Sequence, residues 1–233
     1  KNYFFEKNLV KSNNFKALVT TGPTREYLDP IRYISNESSG KQGYEIALAL
    51  RKLGINTKLI AGPSNLIFSK DLKIKKINTT KQMMNEVKNS LPVDIAVCAA
   101  AVSDFKPVNR SKNKIKKNNS NIESLHLEKN PDILNYLSKN NKYRPKIVVG
   151  FSAETQDVIK NSKIKLKEKY CDLIVANDVS KKNLGFNSDY NKVSIIDRDG
   201  KVRSIPKNKK SYIANTIAKI ILDKLLMNDK NIN

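Results

Sequence analysis

Residues 17–53 read ALVTTGPTREYLDPIRYISNESSGKQGYEIALALRKL. The segment opens on a short apolar run at 17–20, the length and composition of a buried strand. It closes at 40–53, where Ile46, Ala47, Ala49, Leu50 and Leu53 recur at helical spacing and Gly54 ends the pattern. A polar loop rich in glycine and serine joins the two. A buried strand that runs through a loop into an amphipathic helix announces an alternating fold.

The alternation continues to the end of the chain. Strands are expected at 57–61 (closed by Gly62 and Pro63), 74–77, 95–101, 122–127, 147–151 and 173–176. Helices are expected at 80–87, capped by Thr79 or Thr80, at 130–139 with Pro131 in its first turn, at 156–169 and at 209–227. The runs 193–197 and 201–205, joined by DRDG, predict a hairpin. Short apolar strands alternating with helices predict an α/β fold: a Rossmann-like, largely parallel sheet with helices on both faces and a C-terminal β-hairpin. Residues 1–15 read as a linker and 16–233 as one domain. Residues 104–120 are polar and lysine-rich without periodicity, so a flexible flap is expected at about 105–120.

The bulk numbers exclude several classes. A chain of 233 residues with 39% hydrophobic content can fill a core, and no apolar run approaches a membrane span. The start KNYFFEKNLVKSNNF has neither a signal-peptide core nor an initiating Met, as in a piece of a longer chain. Cys98 and Cys171 each sit inside apolar runs, which predicts buried, reduced thiols and a cytoplasmic setting. His126 is the single histidine, so no Cys/His zinc cluster can form. The formal net charge of +22 invites a nucleic-acid-binding module. The lysines are spread over nearly every segment, however, aromatics are 7% and Trp is absent. Compositional drift together with a phosphorylated substrate accounts for the charge better than a nucleic-acid surface, which interleaves aromatics with clustered cations.

In parallel sheets ligands bind outside the carboxyl ends of the strands. Each polar motif of note comes directly after a strand: TTGPTRE, AAVSDFKP, GFSAET and ANDVS. That convergence predicts a ligand-binding enzyme. The loop YISNESSGKQG is not a Walker loop, because Ser35 stands where the first glycine belongs and Gln42 follows Lys41. Gly22-Pro23-Thr24-Arg25 replaces the dinucleotide fingerprint, which disfavours a nicotinamide-dependent oxidoreductase. An anion site remains: Gly40 and Gly43 allow close backbone approach, the helix start offers free N–H groups, and Ser38 and Ser39 add hydroxyls. Either serine could equally serve as a plain helix cap. Asn36 carries a neutral amide able to donate to a carboxylate and to a neighbouring phosphate, though a lone Asn is commonly a turn residue.

Taken in order, residues 19–47 (VTTGPTREYLDPIRYISNESSGKQGYEIA), AAAVSDFKP, KIKK at 114, KNPDIL, VVGFSAET and LIVANDVS…GFNSD resemble the phosphopantothenoylcysteine synthetase (phosphopantothenate–cysteine ligase) family. More narrowly they are similar to its bacterial CTP-using form, usually fused behind a flavin-dependent decarboxylase. The resemblance spans roughly 17–222. It implies that the carboxylate of 4′-phosphopantothenate attacks the α-phosphate of CTP, releasing pyrophosphate, and that the amine of L-cysteine then displaces CMP from the acyl-cytidylate. It also implies Mg²⁺, a homodimer with the GFNSD segment and the hairpin as interface elements, and FMN only in a fused decarboxylase domain.

Residue by residue, the resemblance assigns Asn36 to the acyl-cytidylate and Lys114 to catalysis and CTP binding on the flap. Cys98, Ala99 and Ala100 match a backbone segment along CTP, with Cys98 as packing and not a nucleophile. Asp104 matches a CTP-binding acid serving ribose hydroxyls or Mg²⁺. Pro131, Asp132, Ile133 and Leu134 match a helix start beside the nucleotide, where Asp132 equally suits the helix dipole. Phe151 matches a residue next to the nucleotide. Lys165 and Lys169, four apart on one helical face, match a pair of CTP-binding lysines. Arg32 is a weaker candidate for the phosphopantothenate side. Thr21 and Ser103 depart from the family's usual small apolar residues, and the flap at 109–121 is slightly short.

Overall fold

The computed structural model describes residues 14–116, 124–139, 142–180 and 188–230. The linker reading of 1–15 therefore falls almost wholly outside the described residues, as do the end of the flap and the first residues of GFNSD. The chain runs through β1 (Lys16–Thr21), β2 (Arg25–Tyr27), β3 (Tyr33–Ser35), α1 (Lys41–Lys52), β4 (Asn56–Ala61), β5 (Lys73–Lys76), α2 (Thr80–Lys88) and β6 (Ile95–Cys98). It continues through β7 (Phe105–Pro107), β8 (Leu127–Lys129), α3 (Ile133–Lys139), β9 (Ile147–Glu154), α4 (Val158–Lys169), β10 (Leu173–Asp178), β11 (Tyr190–Asp197), β12 (Val202–Lys209) and α5 (Lys210–Lys230).

One eight-stranded sheet has the order β12-β11-β10-β9-β6-β1-β4-β5. Across the sheet from β5 to β10 the neighbours pair in parallel, and β11 and β12 add the antiparallel hairpin at one edge. The order reverses at β1, between β4 and β6, where the connections leave in opposite directions and open a crevice. Strand periodicity splits the core in two. Ala17 and Val19 face α1 and α5, whereas Leu18 faces α2, α3 and α4. Each fully buried Leu or Ile of these layers, such as Leu18, Leu50 or Ile174, contributes about 2 kcal/mol through removal of apolar surface from water. The outer strands β5 and β12 are mostly exposed and carry lysines and a proline, which blunts both sheet edges against further pairing.

Three local features differ from the sequence reading. First, β2 and β3 form a short antiparallel hairpin where only a loop was expected. It is held by Tyr27 edge-on to Tyr33 and by the Arg25 guanidinium 4.5 Å from the Tyr33 ring. Buried Glu26 ties it to the start of α2 by accepting from the Thr80 N–H at 2.9 Å and hydroxyl at 2.7 Å. Second, Phe105–Pro107 pairs with Leu127–Lys129, so the strand expected at 122–127 is displaced and the flap begins as a ribbon. Third, neither Ser38 nor Ser39 caps α1. Its N-cap is Gly40, at a φ of 74° that an L side chain rarely adopts. The start of α2 agrees with expectation: Thr79 and Gln82 form a reciprocal capping box on it.

Candidate functional site

At the reversal point a cleft of about 1010 Å³ opens over the carboxyl ends of β1, β6 and β9. Its floor is backbone. The Ala99 N–H donates to the Thr20 carbonyl at 3.1 Å, and the Ala101 N–H to the Gly22 carbonyl at 2.9 Å. These bonds carry the small-residue segment past the end of β6 and keep large side chains out of the way. Cys98, Ala99, Ala100 and Phe151 all line this floor. Burial pushes the Cys98 thiol up to about 12, so it stays protonated and serves as packing.

One wall is the amino-terminal turn of α1. The Ser38 hydroxyl accepts from Gly40 N at 3.2 Å, and the Ser39 hydroxyl lies 3.5 Å from Lys41 N. No side chain caps the helix, so its first turn keeps donors facing the cleft. The room at Gly43 serves packing rather than a ligand. A Cβ there would stand 2.5 Å from Thr21 Oγ1 and 3.2 Å from Ala99 Cβ, so glycine lets the helix close onto the strand ends. Asn36 lies on the same wall and fixes its amide by donating from Nδ2 to the Val102 carbonyl at 2.9 Å.

The opposite wall comes from α3 and α4. Asp132 Oδ1 accepts from Asn135 N at 2.8 Å, and Oδ2 accepts from Lys169 Nζ at 2.6 Å. Burial works to raise the Asp132 carboxyl, but these donors and Lys165 outweigh it and hold it below the ordinary range. The same bond holds the Lys169 ammonium above its ordinary range. Asp132 thus holds the start of α3 and lines the cleft wall. Ile133 and Leu134 bury their side chains in the core. Pro131, Lys165 and Lys169 line the rim with Asp104, which is exposed.

Three buried side-chain oxygens in the cleft have no hydrogen-bond partner among the described residues: Gln42 Oε1, Asn130 Oδ1 and Asn177 Oδ1. Buried acceptors are normally satisfied, so they mark where donors of a bound molecule belong. Asn130 is anchored by its Nδ2 to the Ser103 carbonyl at 2.9 Å and by its N–H to the Asp104 carbonyl at 2.8 Å.

Two of the expected residues are not in the cleft lining. Lys114 is exposed, and Arg32 bonds to Asp29 and the Ile115 carbonyl instead. Conversely, several lining residues carried no sequence signal. Lys210, the first residue of α5, is 3% exposed and lines the cleft beside Lys41, which pairs with Asp189. Burial first, and Lys41 next, bring the Lys210 amine down to about 8. Asn177 belongs to the ANDVS motif at the end of β10, a position that could have flagged it.

The chain matches the DNA/pantothenate metabolism flavoprotein C-terminal domain family over residues 12–225. It is 40% identical over 222 residues to the coenzyme A biosynthesis bifunctional protein CoaBC of Borreliella burgdorferi, covering 94% of this chain and 55% of that protein. The Escherichia coli protein of the same name is 38% identical over 227 residues, with 96% and 54% covered. The chain thus spans about half the length of the curated relatives it matches. Among solved structures, the C-terminal domain of a coenzyme A biosynthesis bifunctional protein CoaBC superposes with a TM-score of 0.76 at 31% identity, covering 93% of this chain and 97% of that one. The match of motif order, fold and nearly the whole described length leads to one conclusion: this chain belongs to the DNA/pantothenate metabolism flavoprotein C-terminal domain family.

Proposed function

We propose that this domain ligates 4′-phosphopantothenate to L-cysteine, with CTP as the activating nucleotide, in coenzyme A biosynthesis. One observation carries the reading. Asn36, Cys98 to Ala100, Asp104, Pro131 to Leu134, Phe151, Lys165 and Lys169, spread along the chain, line one cleft at the sheet's reversal point.

The chemistry asks for two anions side by side. A free carboxylate is a poor acyl donor, so its oxygen attacks the α-phosphate of CTP and the P–O bond to pyrophosphate breaks. The cysteine amine then attacks the acyl carbon, loses a proton, and the C–O bond to CMP breaks. Both steps gain from preorganised donors around developing charge. The free N–H groups of α1 with Lys41 and Lys210 suit the leaving phosphates, and Lys165 and Lys169 suit the rest of the nucleotide. Asn36 orients the acyl-cytidylate from the neighbouring wall. Lys114 neutralises the α-phosphate from the flap. Mg²⁺, brought on the phosphates, would be held by Asp104 beside the unpartnered Asn130 oxygen, a donor set that fits an ion bound through one carboxylate and substrate oxygens, and it would offset charge on the transferring phosphate. The domain acts in the cytoplasm as a homodimer and forms one half of a bifunctional protein whose other half is an FMN-dependent decarboxylase. These assignments go with the ligase reading.

The deciding experiment incubates the chain with Mg²⁺, 4′-phosphopantothenate and cysteine, with CTP or ATP in separate reactions. CTP-dependent pyrophosphate release with ligated product by mass is the expected result. Product with ATP alone overturns the nucleotide assignment. No product with either, from folded protein, overturns the ligase.

Lys210 adds a pH signature. Its amine titrates at about 8 in the fold against 10.5 ordinarily, so between those values the unfolded chain binds more protons. The free protein therefore gains stability as pH rises through that window, and Lys210→Met removes the gain. A bound triphosphate selects the protonated amine, so CTP affinity weakens as pH rises past about 8, and Lys210→Met flattens that slope. Isothermal titrations at pH 7 and 9 on both proteins test it; parallel slopes refute a phosphate contact at Lys210.

A further inference from the structure

Asp29 lies in the turn of the β2–β3 hairpin, outside the cleft lining, and is 0% exposed. Its Oδ1 accepts from the N–H groups of Ile31 and Arg32, each at 2.8 Å. Together with the Leu28 N–H donating to the Arg32 carbonyl at 2.9 Å, those two bonds close the turn. Its Oδ2 does something else. It accepts from Arg32 Nε at 2.8 Å, lies 2.6 Å from Arg32 Nη2, and accepts from the N–H of Ile115 at 3.2 Å, 86 residues along the chain. Arg32 Nη2 then donates to the Ile115 carbonyl at 2.6 Å. Both backbone polar groups of Ile115 are therefore held, one by the carboxylate and one by the guanidinium that the carboxylate orients. A second tie runs from the Ser111 N–H to the Leu28 carbonyl at 2.8 Å. The hairpin turn and residues 111–115 form one clamped unit.

Lys114 directly precedes the clamped residue. We propose that Asp29 is a positioning residue for Lys114, locking the flap root so that the lysine ammonium sweeps a small arc over the α-phosphate. This rests on the ligase reading, in which Lys114 acts on that phosphate. A lysine on an unrestrained loop loses backbone and side-chain freedom at each turnover; one whose neighbour is fixed has lost most of it already. The Asp29 carboxylate suits the task because backbone N–H donors, Arg32 first, keep it ionised far below the usual carboxylate range despite its burial. An amide in its place turns an NH₂ toward N–H donors and leaves Arg32 without its counter-ion.

The test compares Asp29→Asn, Lys114→Gln and the double variant in CTP-dependent turnover, with trypsin cleavage after Lys112, Lys114 and Lys116 as a second readout. Asp29→Asn is expected to lower kcat about fiftyfold while KM for CTP stays within about threefold, the pattern of a misplaced group that acts in the transition state. The double variant is expected to be no slower than Lys114→Gln, and trypsin is expected to cut the Asp29→Asn flap about tenfold faster as local opening becomes easier. Normal turnover by Asp29→Asn in an enzyme that Lys114→Gln inactivates overturns this inference and leaves the ligase reading intact. So do multiplicative losses in the double variant, or an unchanged cleavage rate. Normal turnover by Lys114→Gln instead overturns the reading of Lys114 itself. If Asp29→Asn does not fold, Arg32→Lys serves, because it keeps the ion pair but cannot reach Asp29 and the Ile115 carbonyl together.

Discussion

Asn36→Asp leaves a folded domain that forms no measurable ligated product. The exchange changes one NH₂ to an oxygen and keeps the size. The asparagine Nδ2 donates to the Val102 carbonyl at 2.9 Å, and that bond orients the amide on the cleft wall. A carboxylate oxygen in the same place faces a carbonyl oxygen, so the orienting bond becomes a repulsion. It also sets a negative charge where a substrate carboxylate and the phosphates of CTP must meet. Loss of one preorganised donor costs about a hundredfold to a thousandfold in rate, and the added charge deepens the loss. Asn36 is exposed, so stability changes by no more than about 0.5 kcal/mol. Two readouts separate the steps. Pyrophosphate release without product places the defect in turnover of the acyl-cytidylate, and absence of both places it in activation. Near-normal product formation sinks the assignment of Asn36.

Lys114→Gln is the second large effect. Lys114 is exposed, so the variant melts within a degree or two of the parent. Turnover is expected to fall about a thousandfold, because glutamine keeps reach and hydrogen bonding but lacks the positive charge on the α-phosphate. Lys114→Arg recovers part of the loss, since it restores charge with a bulkier, planar head. The discriminating comparison is kcat against melting temperature. A drop in both marks a folding defect, and a drop in neither removes Lys114 from the mechanism.

The two residues had different standing before the fold was known. Asn36 fell into the cleft lining as its place between strand and helix required. Lys114 did not, and its expected role depends on the flap root. That root was invisible in the sequence, because Asp29 reads as an ordinary turn acid until Ile115 is brought against it. The same holds for β7 and β8. Three-residue strands with mostly exposed side chains leave no periodicity to read, and their pairing joins residues about twenty positions apart. The cap of α1, for which the sequence leaves Ser38 or Ser39 open, is decided by a local contact. Serines at the start of a helix are strong caps in general, but Thr21 donates to the Gly40 carbonyl and fixes that residue in a left-handed conformation, which moves the cap to glycine. Thr79 was readable because capping box and helix are a matter of four adjacent residues.

The sequence by itself determined the alternating α/β plan, the parallel sheet, the buried thiol of Cys171 and the loops that carry the chemistry, because these depend on the periodicity of apolar residues and on the polar motif at each strand's carboxyl end. Cys98, expected to be buried as well, is half-buried because its strand ends at the cleft floor. Only the tertiary structure decided which charges share a space. Lys210 acquires its lowered titration from α5 packing on α1, and Asp29 acquires a partner from the flap. Burial and electrostatic coupling depend on distance in space, and the sequence records only distance along the chain.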